Sequence, residues 1–144
     1  MPNKIIKIKP VIAVICDDIR KEDNGKPIII GVYQGDIKIN IPPVQGPHVI
    51  TLSLWIPFTI SEAGQVEIEL KISGPNPENQ MKMKAHASFE KAPSKHDMPS
   101  FNITGFPLVI ENGVLEIFFR NKGDNKWTLL RSASVSSVTM GSST

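Results

Sequence analysis

The run Val66-Glu67-Ile68-Glu69-Leu70-Lys71-Ile72-Ser73 decides the fold class. Apolar and polar residues alternate along its whole length, which is the period of a strand with one buried and one wet face. Gly74-Pro75-Asn76-Pro77-Glu78-Asn79 follows, dense in turn formers. Beyond it, Met81, Met83, Ala85, Ala87 and Phe89 alternate with Lys82, Lys84, His86 and Ser88. Two half-buried strands flanking such a turn read as an antiparallel hairpin.

The same reading extends outward in both directions. Val11 to Ile19, Ile28 to Tyr33 and Val49 to Phe58 are denser in apolar residues, as strands buried on both faces are. Asn24-Gly25, between the first two, is a strong hairpin signal. Ile37, Ile39 and Ile41 alternate with Lys38 and Asn40 and stop at Pro42-Pro43, whose nitrogens cannot donate to a ladder. Leu108 to Ile110 and Val114 to Arg120 flank a second Asn-Gly turn, and Trp127 to Ala133 makes a last strand. No stretch carries capped helical periodicity, and Pro93 and Pro99 leave Ala92 to Ser100 room for a single helical turn. About eight or nine short strands, with turn signals every 8–12 residues or so, predict an all-β fold. The expected architecture is an antiparallel β-sandwich, immunoglobulin-like or C2-like. Residues 1–136 are expected to form its single domain and 137–144 a flexible Ser/Thr-rich tail.

Composition narrows the function classes. A chain of 144 residues fits one domain, and its one cysteine excludes an internal disulfide framework and a thiolate-rich metal site. Sixteen basic against 14 acidic residues leave a formal charge of +2, too balanced to suggest a nucleic-acid or membrane surface. Lys4, Lys7 and Lys9 interleave with isoleucines up to Pro10, and Asp17, Asp18 and Arg20 close the apolar stretch Val11 to Cys16. Neither a signal peptide nor a membrane helix is expected, so the protein is read as cytoplasmic with a reduced thiol. The sequon Asn102-Ile103-Thr104 then carries no meaning.

One feature breaks the pattern of outward charges. Strand alternation puts Asp17 in phase with Val11, Ala13, Ile15 and Ile19, and Asp18 with Ile12, Val14, Cys16 and Arg20. A carboxylate facing a core needs a cation or several donors, because stranding it costs several kcal/mol. Arg20, Tyr33 and the amides near Gly31 and Gly35 are available. Asp17 or Asp18 then pins a hairpin corner against the returning Ile30–Asp36 segment. The alternatives are a divalent cation such as calcium held by Asp17, Asp18 and Asp36, as in a metal-dependent binding protein or hydrolase, or a ligand or partner at the corner. The binding candidates are Asp17, Asp18, Arg20, Tyr33 and Asp36.

Ile15-Cys16-Asp17-Asp18-Ile19-Arg20, then Asn24-Gly25-Lys26, then Ile30-Gly31-Val32-Tyr33 and Gly35-Asp36, resembles the signature of a family of small bacterial and phage-associated proteins of unknown function. The likeness is densest over residues 11–41, and Leu54-Trp55-Ile56 and the strand at 66–72 also fit. It implies a compact β-rich domain and brings no activity and no catalytic residue.

Enzyme signatures are missing. His48, His86 and His96 are dispersed and read as solvated side chains. Cys16 sits among apolar residues and two aspartates, which raise a thiol's pKa, and is expected to be a buried, inert thiol. No G-x-S-x-G, Walker loop or G-x-G-x-x-G occurs. No catalytic set, cofactor or metal is therefore assigned. Phe118 and Phe119 are adjacent, so one of them leaves the core, near Arg120, Lys122, Lys126 and Trp127. Phe118, Arg120 and Trp127 form a candidate interaction face, for which protein contact is favoured over nucleic acid. The expected function is non-enzymatic: protein–protein contact as a homo-oligomer, an assembly or virion component, or an adaptor.

Overall fold

A computed structural model describes residues 4–76, 78–94 and 96–139, and these contain no helix. They form eleven strands: β1 (Ile5–Ile6), β2 (Lys9–Pro10), β3 (Val14–Lys21), β4 (Pro27–Val32), β5 (Ile37–Ile41), β6 (Val49–Thr59), β7 (Gly64–Ser73), β8 (Gln80–Phe89), β9 (Ser100–Val109), β10 (Gly113–Asn121) and β11 (Thr128–Thr139). Two sheets result, one of which curls into a half-barrel. The six-stranded sheet runs β8-β7-β10-β11-β5, with β1 beside β7 next to the end of β10. The five-stranded sheet runs β9-β6-β3-β4, with β2 on β6 beyond β3.

The alternating segments behave as read. Along β7, Val66, Ile68, Leu70 and Ile72 are buried, and the residues between them are half-buried. β8 pairs with β7 from Gly64↔Phe89 to Ser73↔Gln80, so the hairpin forms in that register. Between the sheets lie these side chains, with Ile15, Ile37, Leu52, Leu54, Ile56, Phe58, Leu115 and Ile117, all at most 3% exposed. Each such side chain contributes about 1.5–3 kcal/mol by leaving water. Phe58 stacks on Phe101 at 5.0 Å and meets Phe89 edge-on at 6.1 Å, which ties β6 to β9 and to the far edge of the other sheet.

Several expectations need correction. Residues 5–10 split into two two-residue strands, one in each sheet, so the count exceeds nine. Asn121 holds that crossing: its Oδ1 accepts from Ile8 N at 2.9 Å and its Nδ2 donates to Ile8 O at 3.1 Å. Two pairings, β1 with β7 and β5 with β11, are parallel, so the sheets are not purely antiparallel. Asn112-Gly113 carries the chain from β9 in one sheet to β10 in the other rather than closing a hairpin. β9 spans Ser100–Val109 because an edge strand accommodates Pro107, which has no N–H to donate. β4 is not buried on both faces but lies exposed at a sheet edge. Ser137 to Thr139, assigned to a flexible tail, pair with Ile39 to Ile41 inside β11, and residues 140–144 lie outside the described residues. In the region of the possible helical turn no described residue is helical, and Asp97 N donates to Ser94 O at 2.9 Å.

Candidate functional site

On β3, Ile15 and Ile19 are buried on the inward face, and Asp17 lies in phase between them. Its position stays wet, because here β3 pairs with the edge strand β4. Cys16 pairs with Val32 and Asp18 with Ile30, which sets Gly31 opposite Asp17. Gly31 has φ of 69°, and a Cβ there would overlap the Asp17 carboxylate. The bare backbone lets Asp17 lean across to Tyr33, whose hydroxyl donates to Oδ1 at 2.7 Å. Tyr33 N also donates to Ile15 O at 2.9 Å. Burial, and then the Asp17 hydrogen bond and charge, push the Tyr33 phenol up to about 12.

A residue absent from the candidate set completes this corner. Arg131 on β11 pairs with Ile117 and alternates with the buried Ala133 and Val135, so it too points inward. Its Nη2 donates to the Tyr33 carbonyl at 2.8 Å, while its Nε is buried without a partner. Tyr33 thus links an inward acid on one sheet to an inward base on the other. The phase of Arg131 with Ala133 and Val135 was visible in the sequence; its partner, a backbone carbonyl on a crossover, was not.

The other candidates separate. Asp18 faces outward, where Oδ1 accepts from Ile19 N at 2.9 Å and Oδ2 from Arg20 Nε at 3.1 Å. Asp36 lines an open cleft of about 550 Å³ with Ile12, Gln34, Val114, Leu130 and Arg131. Among the described residues, no group of three His, Cys, Asp or Glu side chains is placed to hold a metal ion. Asp17 and Asp18, on opposite faces of one strand, do not converge. The histidines stay apart: His48 Nε2 lies 2.9 Å from Val44 O, and His86 faces Glu67 across β7 and β8. Cys16 is fully buried, with Sγ 3.6 Å from Ser53 O, and burial followed by Asp17 and Asp18 raises its pKa.

Two surfaces remain. On the outer face of the six-stranded sheet, Lys71 Nζ sits 4.5 Å from the Phe118 ring centre and 4.8 Å from that of Trp127. Arg120 covers Trp127 at 4.1 Å and pairs with Glu69 at 2.6 Å, so Phe118, Arg120 and Trp127 do share one face, while Phe119 enters the core. On β4, Ile28, Ile30 and Val32 point to one face and are 39%, 38% and 49% exposed. That apolar row ends a sheet, with β3 on one side and no strand on the other among the described residues.

The sequence pattern of the family of unknown function DUF6941 matches residues 11–129, most of the chain. The chain belongs to DUF6941. The matched region runs from just before β3 to the start of β11, so it takes in Asp17, Gly31, Tyr33 and the β4 row but stops short of Arg131. No curated protein matches the chain. DUF6941 is a family of unknown function and assigns no activity to the chain, and no helix among the described residues is long and apolar enough to cross a membrane.

Proposed function

We propose that this DUF6941 domain is a non-enzymatic interaction module, and that the edge of β4 joins it to a second copy of the chain. The supporting observation is the outward row Ile28, Ile30 and Val32 on a strand whose outer edge is open. Such an edge offers unpaired backbone groups to another strand, and natural proteins usually blunt it with charge or cover it. Here the row is apolar. It is also self-complementary: an antiparallel two-fold centred on Ile30 sets Ile28 of each copy beside Val32 of the other. An isologous contact of that kind closes on itself and uses up the β4 edge of both copies.

The finer setting belongs to the same reading. The strand spacing supports an immunoglobulin- or C2-like sandwich that runs to the end of β11, working in the cytoplasm, where a lone thiol stays reduced. The likeness of residues 15–36 to bacterial and phage-associated proteins supports an assembly component.

Sedimentation velocity over a concentration series tests the proposal. The wild-type chain should pass from monomer to dimer, and Ile30→Lys should remain monomeric with the melting midpoint of the dilute wild-type monomer. A wild-type monomer at the highest attainable concentration, or a dimer that Ile30→Lys leaves intact, overturns it.

A further inference from the structure

The charge of the chain is balanced overall but not by face. On the outer side of the six-stranded sheet, Lys82 faces Lys71 and Lys84 faces Glu69 across β7 and β8. Phe118 lies beside Lys71 and Arg120 beside Glu69 across β7 and β10. Lys122 follows, paired with Glu67 at 2.8 Å. Five cations (Lys71, Lys82, Lys84, Arg120, Lys122) against three carboxylates (Glu67, Glu69, and Glu116, which shares the outer phase of Phe118 and Arg120) leave +2 on this block, as much as the whole chain carries. Glu67 and Glu69 are already engaged, by Lys122 and Arg120. Lys71 and Lys82 make no ion pair among the described residues, although like charges directly opposed across a ladder repel. Two aromatic rings, Phe118 and Trp127, stand among these cations.

We propose that this face binds single-stranded nucleic acid. Lys71 and Arg120 turn from the rings to the phosphates, which also lie on Lys82 and Lys84, and bases take their place against Phe118 and Trp127. A sheet face that combines cations with rings is the arrangement by which small β domains take unpaired bases, since every base offers a π face. An acidic protein segment would match the cations but leave the rings without stacking partners. The balanced total charge that argued against nucleic acid averages this face with the rest of the surface.

Fluorescence-anisotropy titration of a labelled oligothymidylate, roughly 16 nucleotides long to exceed one small-domain site, is the test. Binding should be saturable and should quench Trp127, because the other tryptophan, Trp55, has its Nε1 sealed inside the fold. With four phosphate contacts the affinity should fall about 50-fold between about 50 and about 200 mM salt. The double variant Lys82→Glu, Lys84→Glu changes only exposed side chains and should keep the wild-type melting curve. It should weaken binding by about tenfold or more and reduce the salt slope by about 1.4. The proposal is overturned by no saturable binding at the lowest salt, by equal binding of the double variant, or by a duplex that binds as tightly as the single strand. Displacement by oligoglutamate of matched charge and concentration also overturns it, in favour of an acidic protein partner.

Discussion

Asp17 and Asp18 are neighbours in sequence and unlike in every other respect. Asp18 makes an exposed pair with Arg20 and a local bond to Ile19 N, so Asp18→Asn should shift stability by no more than about 0.5 kcal/mol. Asp17 instead holds the one tyrosine of the chain, which makes its role directly readable. Tyr33 has a folded pKa of about 12 against an ordinary 10.0, so it stabilises the protein fully below pH 10 and loses that contribution as pH climbs from 10 to 12. Tyrosinate absorbance should therefore titrate near 12 in the native protein and lower in Asp17→Asn. A native midpoint at 10 would remove the hydrogen bond from the account. Gly31→Ala forces a side chain into both the left-handed region and the space of the Asp17 carboxylate. It should cost about 2 kcal/mol or more in denaturant unfolding, with roughly half of that from the backbone alone.

At the scale of the element, the N-terminal crossing rests on one buried side chain. Asn121→Ala strands the Ile8 N–H and C=O in a buried setting and should cost about 2–3 kcal/mol by chemical denaturation, with β1 and β2 losing amide protection first. The strict alternation at 66–72 and 81–89 was legible because each strand there has a wetter and a drier face, and period two records that difference directly. β4 was not legible in the same way. Ile28-Ile29-Ile30 reads as a strand buried on both faces, because composition cannot distinguish an apolar side chain covered by this chain from one left for another. The parallel pairings and the sheet change at Asn112-Gly113 were hidden too, since turn chemistry fixes a bend but not which sheet receives the next strand. At the corner, the inward phase of Asp17 was readable. Its neutral partner Tyr33 and the reach of Arg131 depend on how β4 crosses to β5, which is a tertiary fact.

For the whole molecule, the two outer faces differ in chemistry. One presents an apolar edge strand, the other a block of cations around two rings, and the core between them is apolar and closed. Among the described residues no three His, Cys, Asp or Glu side chains are placed to hold a metal ion, and the proposed role as a module that joins other molecules rests on these two faces. Association through β4 would leave the cationic face of both copies open. Hydrogen exchange measured at low and high protein concentration tests that central claim most directly. The account predicts that the amides of Ile28 to Val32 not bonded to β3 gain protection as concentration rises, while those at the edge of β8 stay unchanged. Exchange in β4 that is fast and independent of concentration would contradict it.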